Sequence, residues 1–385
     1  MNAAATPPVT HNGVIALAAG GTGGHVFPAR ALAEALSARG WHIALITDSR
    51  GASFSDDIAN TETYRIKAAS LGGGACSKLK GLTHLCVGLL QARALLRRIR
   101  PAAVVGFGGY ASAPTMWAAA QMGIPTMLHE QNAVLGRANR LLAARARTIA
   151  TSFPAVKGVR EADLAKIVLT GNPVRAEVAA IAATPYAAPT ETGPVRLLIF
   201  GGSQGARVLS EIVPEALASL PDTLRSRLSV VQQCRPEDIE TVRATYRAAR
   251  IETVLQTFFD DMPSRIAEAH LVIGRAGAST VTELAVAGRP AILIPYRFAM
   301  DDHQTGNASA MAQGGGAWMM PEADFTAEAL SQRLTEFFAD PGILSRAASC
   351  ALASGHADAA ERLADAAEFL ARPANDNSAA REKAA

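Results

Sequence analysis

Two glycine-rich stretches each follow a short apolar run and precede a helical pattern. The first, GGTGGH, runs from Gly20 to His25, and the second, GGSQGA, runs from Gly201 to Ala206. Glycines allow a tight turn, and the backbone N–H groups at a helix N-terminus attract phosphate through hydrogen bonds and the helix dipole. Two such loops predict a nucleotide site, whereas one alone would be equally consistent with close packing of a strand and a helix.

Two polar clusters follow other apolar runs and would suit a sugar. LHEQN spans Leu128 to Asn132, and MDDHQTGNA spans Met300 to Ala308. Carboxylates, imidazoles and carboxamides bind hydroxyl groups, and open α/β sheets bind ligands where their strands end. A sugar site is therefore predicted, with a solvated turn as the alternative for the second cluster.

A third stretch, from Gly274 to Tyr296, admits two interpretations. Glu283 lies three residues after Thr280, which is the spacing of a capping box that only stabilises a helix. The same carboxylate would accept hydrogen bonds from the vicinal hydroxyls of a ribose, with the amides of Gly277 to Thr280 at a phosphate. The residues alone leave both interpretations open.

The glycine-rich loops lack the motifs of two common nucleotide-binding classes. Neither loop continues into the Gly-Lys-Ser/Thr of a nucleotide hydrolase. A dinucleotide dehydrogenase would use an acid near Asp48, at the end of the second strand, but Val26 occupies the third position of the glycine fingerprint. The four cysteines have no metal-ligand or disulfide spacing, so a reducing compartment is expected.

The elements that must position these groups are short strands alternating with helices. Apolar β-branched runs occur at GVIALAA, HIALITD, AAVVGF, PTMLHE and RTIATS in the first half, and at VRLLIF, LSVVQQC, HLVIG and AILIPY in the second. Alanine- and leucine-rich helical segments lie between them, which predicts doubly wound parallel sheets. With 385 residues the chain exceeds one core, so two α/β domains are expected.

The charge and the ends of the chain narrow the partners and the location. A formal charge of +3 gives no reason to expect nucleic acid. No apolar run reaches the length of a membrane span and no signal peptide begins the chain, so a cytosolic protein is expected. Residues 1–12 and 373–385 are small, polar tails that we expect to be disordered.

Taken together, the motifs resemble those of one family. GGTGGHVFPA, GFGGYASAP, HEQN, GNPVR, GGSQGA and RAGASTVTELAVAGRPAILIPY through DDHQTGNA occur in this order and span roughly Gly13 to Asn307. They closely resemble the MurG family, the N-acetylglucosaminyltransferases of peptidoglycan synthesis. The resemblance implies the GT-B fold, in which two Rossmann-like doubly wound domains face a cleft. It also implies inverting transfer of N-acetylglucosamine from UDP-N-acetylglucosamine to undecaprenyl-pyrophosphoryl-muramyl-pentapeptide, giving lipid II with a β-1,4 linkage.

The resemblance also implies a domain organisation. An N-terminal domain, 13–175, is expected to serve the acceptor and the membrane, and a helix at 357–372 returns to it. A C-terminal domain, 176–356, is expected to bind the UDP-sugar donor. The segment Ile181 to Pro194 is rich in proline, threonine and alanine and is predicted to be a linker or surface connection.

Substrate-binding residues follow from the same resemblance. The donor contacts implied in the second half are Ser203 and Gln204 at the diphosphate, Phe259 with Ala278, Ser279, Thr280, Val281, Thr282 and Glu283 around uracil and ribose, and Gln304 at the glucosamine hydroxyls. The contacts implied from the other side of the cleft are Thr22, Gly23, Gly24, Asn132 and Arg175. The planar guanidinium of Arg175 suits an anionic or carbonyl partner, and an interdomain salt bridge is its structural alternative.

Inverting transfer needs a general base for the acceptor hydroxyl. We predict His25, because an imidazole near its normal pKa suits neutral pH and this one lies beside the proposed cleft. Glu130 and His129 are the alternatives. Helix N-termini are expected to meet the charge on the departing UDP. The chain contains no Asp-x-Asp, the metal-diphosphate signature of the other large transferase fold, so neither a metal nor another cofactor is expected.

The lipid-linked acceptor lies in a membrane, which the protein must reach. Ser77 to Pro101 carries leucines at near-helical spacing, with Lys78 and Lys80 at its start and four arginines in its second half. Such a segment suits peripheral binding to anionic lipid at the cytoplasmic face of the bacterial inner membrane. A core-facing helix with basic ends is the alternative, above all for its second half. Other cell-wall synthesis proteins are further partners that this assignment admits.

Two other functions remain open at this point. A UDP-sugar epimerase on a similar scaffold would need no lipid acceptor. A noncatalytic nucleotide-sugar or lipid-binding module would use the polar clusters for binding only. Dependence of turnover on the acceptor distinguishes these functions from glycosyl transfer.

Overall fold

A computed structural model of the protein describes residues 12–20, 23–48, 58–68, 75–202 and 205–372. The chain divides into two compact units. Unit 1 takes its residues from Met1–Gln131, Leu135–Pro173 and Asp358–Ala385, and unit 2 takes its residues from Asn132–Val134 and Val174–Ala357. The passage between the units thus lies two residues before the expected boundary at 175, and the short segment around Asn132 groups with the second unit.

Each unit is built on one parallel sheet. The strands of unit 1 are β1 Val14–Ala18, β2 His42–Thr47, β3 Thr61–Arg65, β4 Ala103–Gly106, β5 Thr126–Glu130, β6 Thr148–Thr151 and β7 Ile167–Leu169. The strands of unit 2 are β8 Val195–Phe200, β9 Leu228–Gln233, β10 Glu252–Gln256, β11 Leu271–Arg275, β12 Ala291–Ile294 and β13 Ala317–Met319. All paired strands are parallel.

Helices connect the strands and cover both faces of each sheet. In chain order they are α1 Gly23–Ala38, α2 Ala75–Ile99, α3 Gly109–Gln121, α4 Arg137–Leu142, α5 Ala176–Ile181, α6 Arg207–Ala218, α7 Asp222–Arg225, α8 Ile239–Ala248, α9 Met262–Glu268, α10 Ala278–Val286, α11 His303–Gln313, α12 Ala327–Ala339, α13 Pro341–Ser354 and α14 Ala359–Ala371. Short 3-10 helices occupy Glu161–Lys166 and Met300–Asp302. Among the helices described, none is both long and apolar enough to cross a membrane.

The two sheets share a strand order that defines where ligands bind. The order is β3-β2-β1-β4-β5-β6-β7 in unit 1 and β10-β9-β8-β11-β12-β13 in unit 2. In each sheet the chain first builds outward from the opening strand and then returns to build on its other side. Doubly wound sheets of this kind open a crevice at the carboxyl ends of the strands where the order reverses, here β1 beside β4 and β8 beside β11. The prediction of doubly wound parallel sheets is confirmed.

The expected surface connection at 181–194 lies wholly within unit 2. Arg227 holds part of it by donating from Nε to the Gly193 carbonyl at 2.8 Å. The hydroxyl of Tyr186 donates to the carbonyl of His270 at 2.8 Å. The segment therefore runs along the surface of one unit and is fastened there by side-chain hydrogen bonds.

The helix α14 closes unit 1 from the far end of the chain. Its buried face includes Leu363 and Leu370, which pack in one cluster with Leu32 and Leu36 of α1. Arg39, just after α1, forms ion pairs with three carboxylates of α14. These carboxylates belong to Glu361, Asp365 and Glu368. Glu368 also accepts a hydrogen bond from the indole nitrogen of Trp41 at 2.9 Å.

We expect Arg39→Met to lower the free energy of unfolding by about 1–2 kcal/mol, because it removes one cation shared by three carboxylates and leaves them repelling one another. Methionine keeps most of the aliphatic stem, so the loss reports on the charge. Urea denaturation at low and high salt measures it, and the loss should shrink at high salt. The control is Arg30→Met, which breaks a single pair with Glu34 on α1; equal losses for both variants would contradict the expectation.

Candidate active site

In unit 2, two loops begin where neighbouring central strands end. β8 pairs with β11, with Phe200 opposite Gly274. The helices α6 and α10 begin shortly afterwards, at Arg207 and Ala278. Because the strand order reverses here, both helix N-termini lie where their backbone N–H groups can receive phosphate. The expected diphosphate residues Ser203 and Gln204 lie outside the described residues.

The helix α10 starts earlier than a capping box at Thr280 and Glu283 requires. Its N-cap is Gly277, so both residues lie inside the helix. The capping-box interpretation is therefore wrong, because that motif needs its threonine at the N-cap position. A glycine N-cap has no side chain to bond the first-turn amides, which suits them to an external anion.

The predicted donor segment divides into a partly exposed turn and a buried turn. Ala278, Ser279 and Thr280 are partly exposed at the start of α10, whereas Val281 and Thr282 are buried. The Thr282 hydroxyl donates to the Ala278 carbonyl at 2.8 Å. Within this segment, side-chain surface is therefore offered by the first three positions and by Glu283, which is also partly exposed.

Glu283 is paired with Arg175 inside unit 2. Arg175 Nε lies 3.1 Å from Glu283 Oε1, and its Nη2 lies 3.2 Å from Oε2. The Glu283 side chain is 14% exposed and that of Arg175 is 33% exposed. Burial raises the pKa of Glu283 and the Arg175 charge partly opposes this effect. The pair lies within one unit, so the expected alternative of an interdomain salt bridge is wrong.

The two-point contact leaves Glu283 able to bind further donors. An ionised carboxylate has about four lone-pair sites, and Arg175 occupies one on each oxygen. The remaining sites can accept the two adjacent hydroxyls of a ribose. The arginine fixes the orientation of the carboxylate, as a bidentate guanidinium does.

Gln304 and Asn132 are both held by backbone or side-chain partners in unit 2. Gln304 Oε1 accepts from the backbone N of Tyr296 at 2.9 Å. Asn132 Oδ1 accepts from Asn307 Nδ2 at 3.2 Å, and Asn307 Oδ1 in turn accepts from the backbone N of Ala133 at 2.8 Å. Asn307 is fully buried. Its position in DDHQTGNA is the one sequence signal for this residue, and that motif does not predict a role for it.

Phe259 lies inside unit 2. Its ring is 3% exposed and lies 5.4 Å from the guanidinium of Arg265. The neighbouring Phe258 is 61% exposed. The structure therefore places Phe259 in the interior of unit 2 and leaves the ring of Phe258 as the exposed aromatic surface beside it.

In unit 1, His25 lies against the turn that follows β4. A Cβ atom added at Gly108 would lie 3.6 Å from Nε2 of His25. A Cβ atom added at Gly109 would lie 3.5 Å from Cε1 and Nδ1 of the same ring. Both glycines have positive φ angles, +82° and +73°, which other residues rarely adopt. The turn therefore brings bare backbone to the ring. Burial lowers the pKa of His25 from its usual value, in contrast to the normal value expected from the sequence.

Gly24 lies in the first turn of α1, next to His25, and Gly23 begins that helix. Thr22 lies outside the described residues. The order of the strands places this helix N-terminus at the reversal point of the first sheet. His25 thus stands at the site where an open sheet of this type receives a ligand.

His129, one alternative base, is enclosed by the protein. It is fully buried, its Nε2 lies 3.2 Å from the Gly171 carbonyl, and its Nδ1 lies 3.0 Å from Gln131 Nε2. Burial lowers its pKa to about 4, with the Gly171 hydrogen bond opposing that shift. Nε2 therefore donates and Nδ1 accepts, so both ring nitrogens are engaged.

Glu130, the other alternative, holds the start of α4. Its Oε2 accepts from the backbone N of Gly136 at 2.8 Å and from Asn139 Nδ2 at 2.9 Å. The residue is 2% exposed. Its carboxylate fastens the segment after β5 to that helix, whereas His25 is a partly exposed residue whose ring lies against the glycine turn.

Two doubly wound parallel sheets, each with a glycine-rich loop after its first strand, are the architecture of the GT-B class of proteins. Comparison with known proteins agrees. Residues 15–151 match the glycosyltransferase family 28 N-terminal domain and residues 196–363 match the glycosyltransferase family 28 C-terminal domain.

The comparisons identify the family within that class. The chain is 57% identical over 357 residues to the UDP-N-acetylglucosamine--N-acetylmuramyl-(pentapeptide) pyrophosphoryl-undecaprenol N-acetylglucosamine transferase of Paramagnetospirillum magneticum, covering 92% of this chain and 96% of that protein. It is 31% identical to Acinetobacter baumannii MurG in its crystal structure, with a TM-score of 0.76 and coverage of 92% and 99%. The chain belongs to the MurG family.

A third similarity bears on the epimerase alternative. The UDP-GlcNAc 2-epimerase of Neisseria meningitidis, bound to UDP-GlcNAc, has a TM-score of 0.62 at 10% identity, covering 91% of this chain and 98% of that chain. At this identity the likeness shows a common fold alone. The family membership, carried by the far higher identity above, favours transfer over epimerisation.

Proposed function

We propose that the protein transfers N-acetylglucosamine from UDP-N-acetylglucosamine to the muramyl sugar of undecaprenyl-pyrophosphoryl-muramyl-pentapeptide. The observation that carries the proposal is membership of the MurG family along nearly the whole chain. Unit 2 binds the donor, with Glu283 and Arg175 at the ribose side and the first-turn amides of α6 and α10 toward the diphosphate. Gln304 meets the sugar hydroxyls. Unit 1 supplies the acceptor side.

The proposed reaction is a single displacement. The acceptor hydroxyl oxygen bonds to the anomeric carbon as the bond from that carbon to the UDP oxygen breaks, which inverts the configuration. His25 takes the hydroxyl proton, and its lowered pKa keeps the ring neutral and able to do so at neutral pH. UDP leaves with the electron pair, and helix N-terminal amides offset the added negative charge.

The test of the proposed function is UDP release from UDP-N-acetylglucosamine by the purified protein, with and without the lipid-linked acceptor. Release that requires the acceptor and yields a disaccharide-lipid product supports transfer. An epimerase would convert the donor without acceptor. A binding module would bind UDP and release nothing, and either result would overturn the proposal.

Turnover is expected to persist in a chelator, because the proposed charge stabilisation uses backbone amides at helix N-termini. The measurement is the rate of acceptor-dependent UDP release before and after exhaustive treatment with EDTA. Recovery of a lost rate on adding Mg²⁺ or Mn²⁺ would contradict the expectation. A coupled assay whose own enzymes need no metal is the required control.

We also propose that α2 contributes to docking on the anionic cytoplasmic face of the inner membrane. In its described part, Val87 is 38% exposed and Leu90 is 67% exposed, while Leu89 packs against the core. Arg97 and Arg98 follow near the C-terminus of the helix and are exposed. Exposed apolar side chains with nearby cations suit an interface of anionic lipid. The side chains of Lys78 and Lys80 lie outside the described part of the structure.

Leu90→Glu is expected to weaken binding to vesicles that contain anionic lipid, because it replaces apolar contact with like-charge repulsion. Charge reversal of Lys78 and Lys80 should act in the same direction. Sedimentation with vesicles measures both effects. Leu164→Glu, at a residue that is 53% exposed elsewhere in unit 1, is the matched control. Unchanged sedimentation of the α2 variants would overturn the docking proposal.

A further inference from the structure

A buried arginine in unit 2 links the carboxyl ends of β11 and β12 to a glutamate that follows β13. Arg275 ends β11 and is 9% exposed. Its Nη1 donates to the carbonyls of Ile294 at 3.2 Å and Pro295 at 3.3 Å, at the end of β12. Its Nη2 donates to Glu322 Oε1 at 2.8 Å, shortly after β13. Since a buried guanidinium is costly to desolvate unless it is paired, these bonds hold the end of β12 in one position.

Glu322 holds one further residue of the segment after β12, and we call the Arg275–Glu322 ion pair the clamp. Its Oε2 accepts from the backbone N of Arg297 at 3.2 Å. Burial alone would raise the pKa of Glu322, but the hydrogen bonds from Arg275 and from the Arg297 backbone lower it below its ordinary value. The carboxylate is therefore ionised at neutral pH. The ion pair fixes the backbone of residues 294–297 through two carbonyls and one amide.

Tyr296, which lies between the held residues Pro295 and Arg297, orients Gln304. The backbone N of Tyr296 donates to Gln304 Oε1 at 2.9 Å. Only the oxygen of a carboxamide accepts from an N–H group, so this bond determines which way the amide faces. The amino group, Nε2, is then the end directed toward other partners. The Cζ atom of Arg275 also lies 5.3 Å from the centroid of the Tyr296 ring.

The chain between the clamp and α11 has exposed side chains. Phe298 is 66% exposed and Met300 is 52% exposed. Asp301 and Asp302 both adopt left-handed φ angles, 53° and 54°. The helix α11 fixes the backbone of Gln304, but the direction of its amide depends on the Tyr296 N–H and hence on the clamp behind it.

We propose that the Arg275–Glu322 ion pair positions Gln304 and thereby determines which configuration of sugar hydroxyls the donor site accepts. The inference rests on the proposed role of Gln304 at the donor sugar. Arg275 and Glu322 are positioning residues, because they act through the backbone of Tyr296. Their loss should affect recognition of the sugar and spare recognition of UDP.

The test compares the binding of UDP, UDP-N-acetylglucosamine and UDP-N-acetylgalactosamine by calorimetry. The two sugars differ only in the configuration of one hydroxyl, at C4. Glu322→Gln keeps the size of the side chain and removes its charge. We expect it to raise the Kd of UDP-N-acetylglucosamine about fivefold to tenfold, the value of one net hydrogen bond, and to narrow the preference between the two sugars. The Kd of UDP should be unchanged.

Matched variants separate positioning from general damage. Glu328→Gln, at an exposed position on α12, is the charge control and should change none of the three affinities. Gln304→Ala should reproduce the loss of sugar preference, and adding Glu322→Gln to it should have little further effect, because both changes act on one contact. Additive losses, equal weakening of UDP and UDP-N-acetylglucosamine, or unchanged sugar binding by Glu322→Gln would each overturn the inference. Absence of transfer by the wild-type protein would overturn the proposed function, and the binding comparison would still decide this inference.

Discussion

Replacing His25 with alanine is expected to reduce kcat by about 10²–10⁴-fold, which is the contribution of a positioned general base. The imidazole lies against Gly108 and Gly109, whose positive φ angles are conformations that glycine adopts readily by itself. The smaller side chain should therefore leave the turn after β4 intact. Donor affinity should be unchanged, because the donor contacts proposed in unit 2 are made by other residues. Steady-state rates at saturating donor and acceptor measure the effect.

The pH profile tests whether His25 acts as the base. Burial lowers its pKa, so the acid limb of kcat/KM should have its midpoint below about 6.5, the value of an unperturbed histidine. Activity is lost as pH falls through that midpoint, because the protonated ring cannot accept a proton. In His25→Ala this limb should disappear. A limb that survives unchanged in the variant would assign the titration to another group.

Two variants on β5 are the controls for this assignment. His129→Gln and Glu130→Gln each remove an ionisable group that is hydrogen-bonded to the backbone of unit 1, at Gly171 and Gly136 respectively. We expect both to lower stability and to retain the acid limb of the wild type. If Glu130→Gln abolished the limb and His25→Ala kept it, the base would be Glu130.

The central part of each sheet could be predicted from the sequence, and the edges could not. The nine runs identified beforehand correspond to β1, β2, β4, β5, β6, β8, β9, β11 and β12. The four strands without a predicted run, β3, β7, β10 and β13, are the four outer strands of the two sheets. A central strand is covered on both faces and reads as a continuous apolar run, whereas β10, with the sequence ETVLQ, is mostly exposed. Its short polar pattern carries little signal against a loop.

The candidate site shows the same limit at the level of side chains. The spacing of Thr280 and Glu283 fits both a capping box and a ribose contact. Only the start of α10, with its N-cap at Gly277, rejects the capping box. The pairing of Arg175 with Glu283 joins residues that are 108 positions apart. No local pattern encodes such a contact. The depressed pKa values of His25 and His129 likewise follow from burial that only the packed structure determines.

Glu283→Gln is expected to weaken UDP binding by about 10–100-fold, since a hydrogen bond to a charged group contributes about 1.5–3 kcal/mol. The change keeps the size of the side chain but removes the negative charge of the carboxylate. That carboxylate pairs with Arg175 and is proposed to accept hydrogen bonds from the ribose hydroxyls. Calorimetry with UDP measures the loss. Turnover at saturating donor should fall much less, because the ribose contact is present in both the bound state and the transition state. A large fall in kcat with unchanged UDP affinity would contradict a ribose role.

The ribose role can be isolated by removing the hydroxyl from the ligand instead of the charge from the protein. The wild type should bind 2′-deoxy-UDP more weakly than UDP, whereas Glu283→Gln should distinguish the two ligands much less, because the contact is already impaired.

Arg175→Lys is the companion variant, since it keeps the positive charge but loses the two-point contact that orients Glu283. Burial raises the pKa of Glu283. As the solution is acidified, the affinity of the wild type for UDP should therefore begin to fall at a higher pH than it would with an ordinary glutamate. Glu283→Gln should lack that pH dependence. Equal discrimination against 2′-deoxy-UDP by the wild type and Glu283→Gln would mean that this carboxylate orients Arg175 and does not touch the ribose.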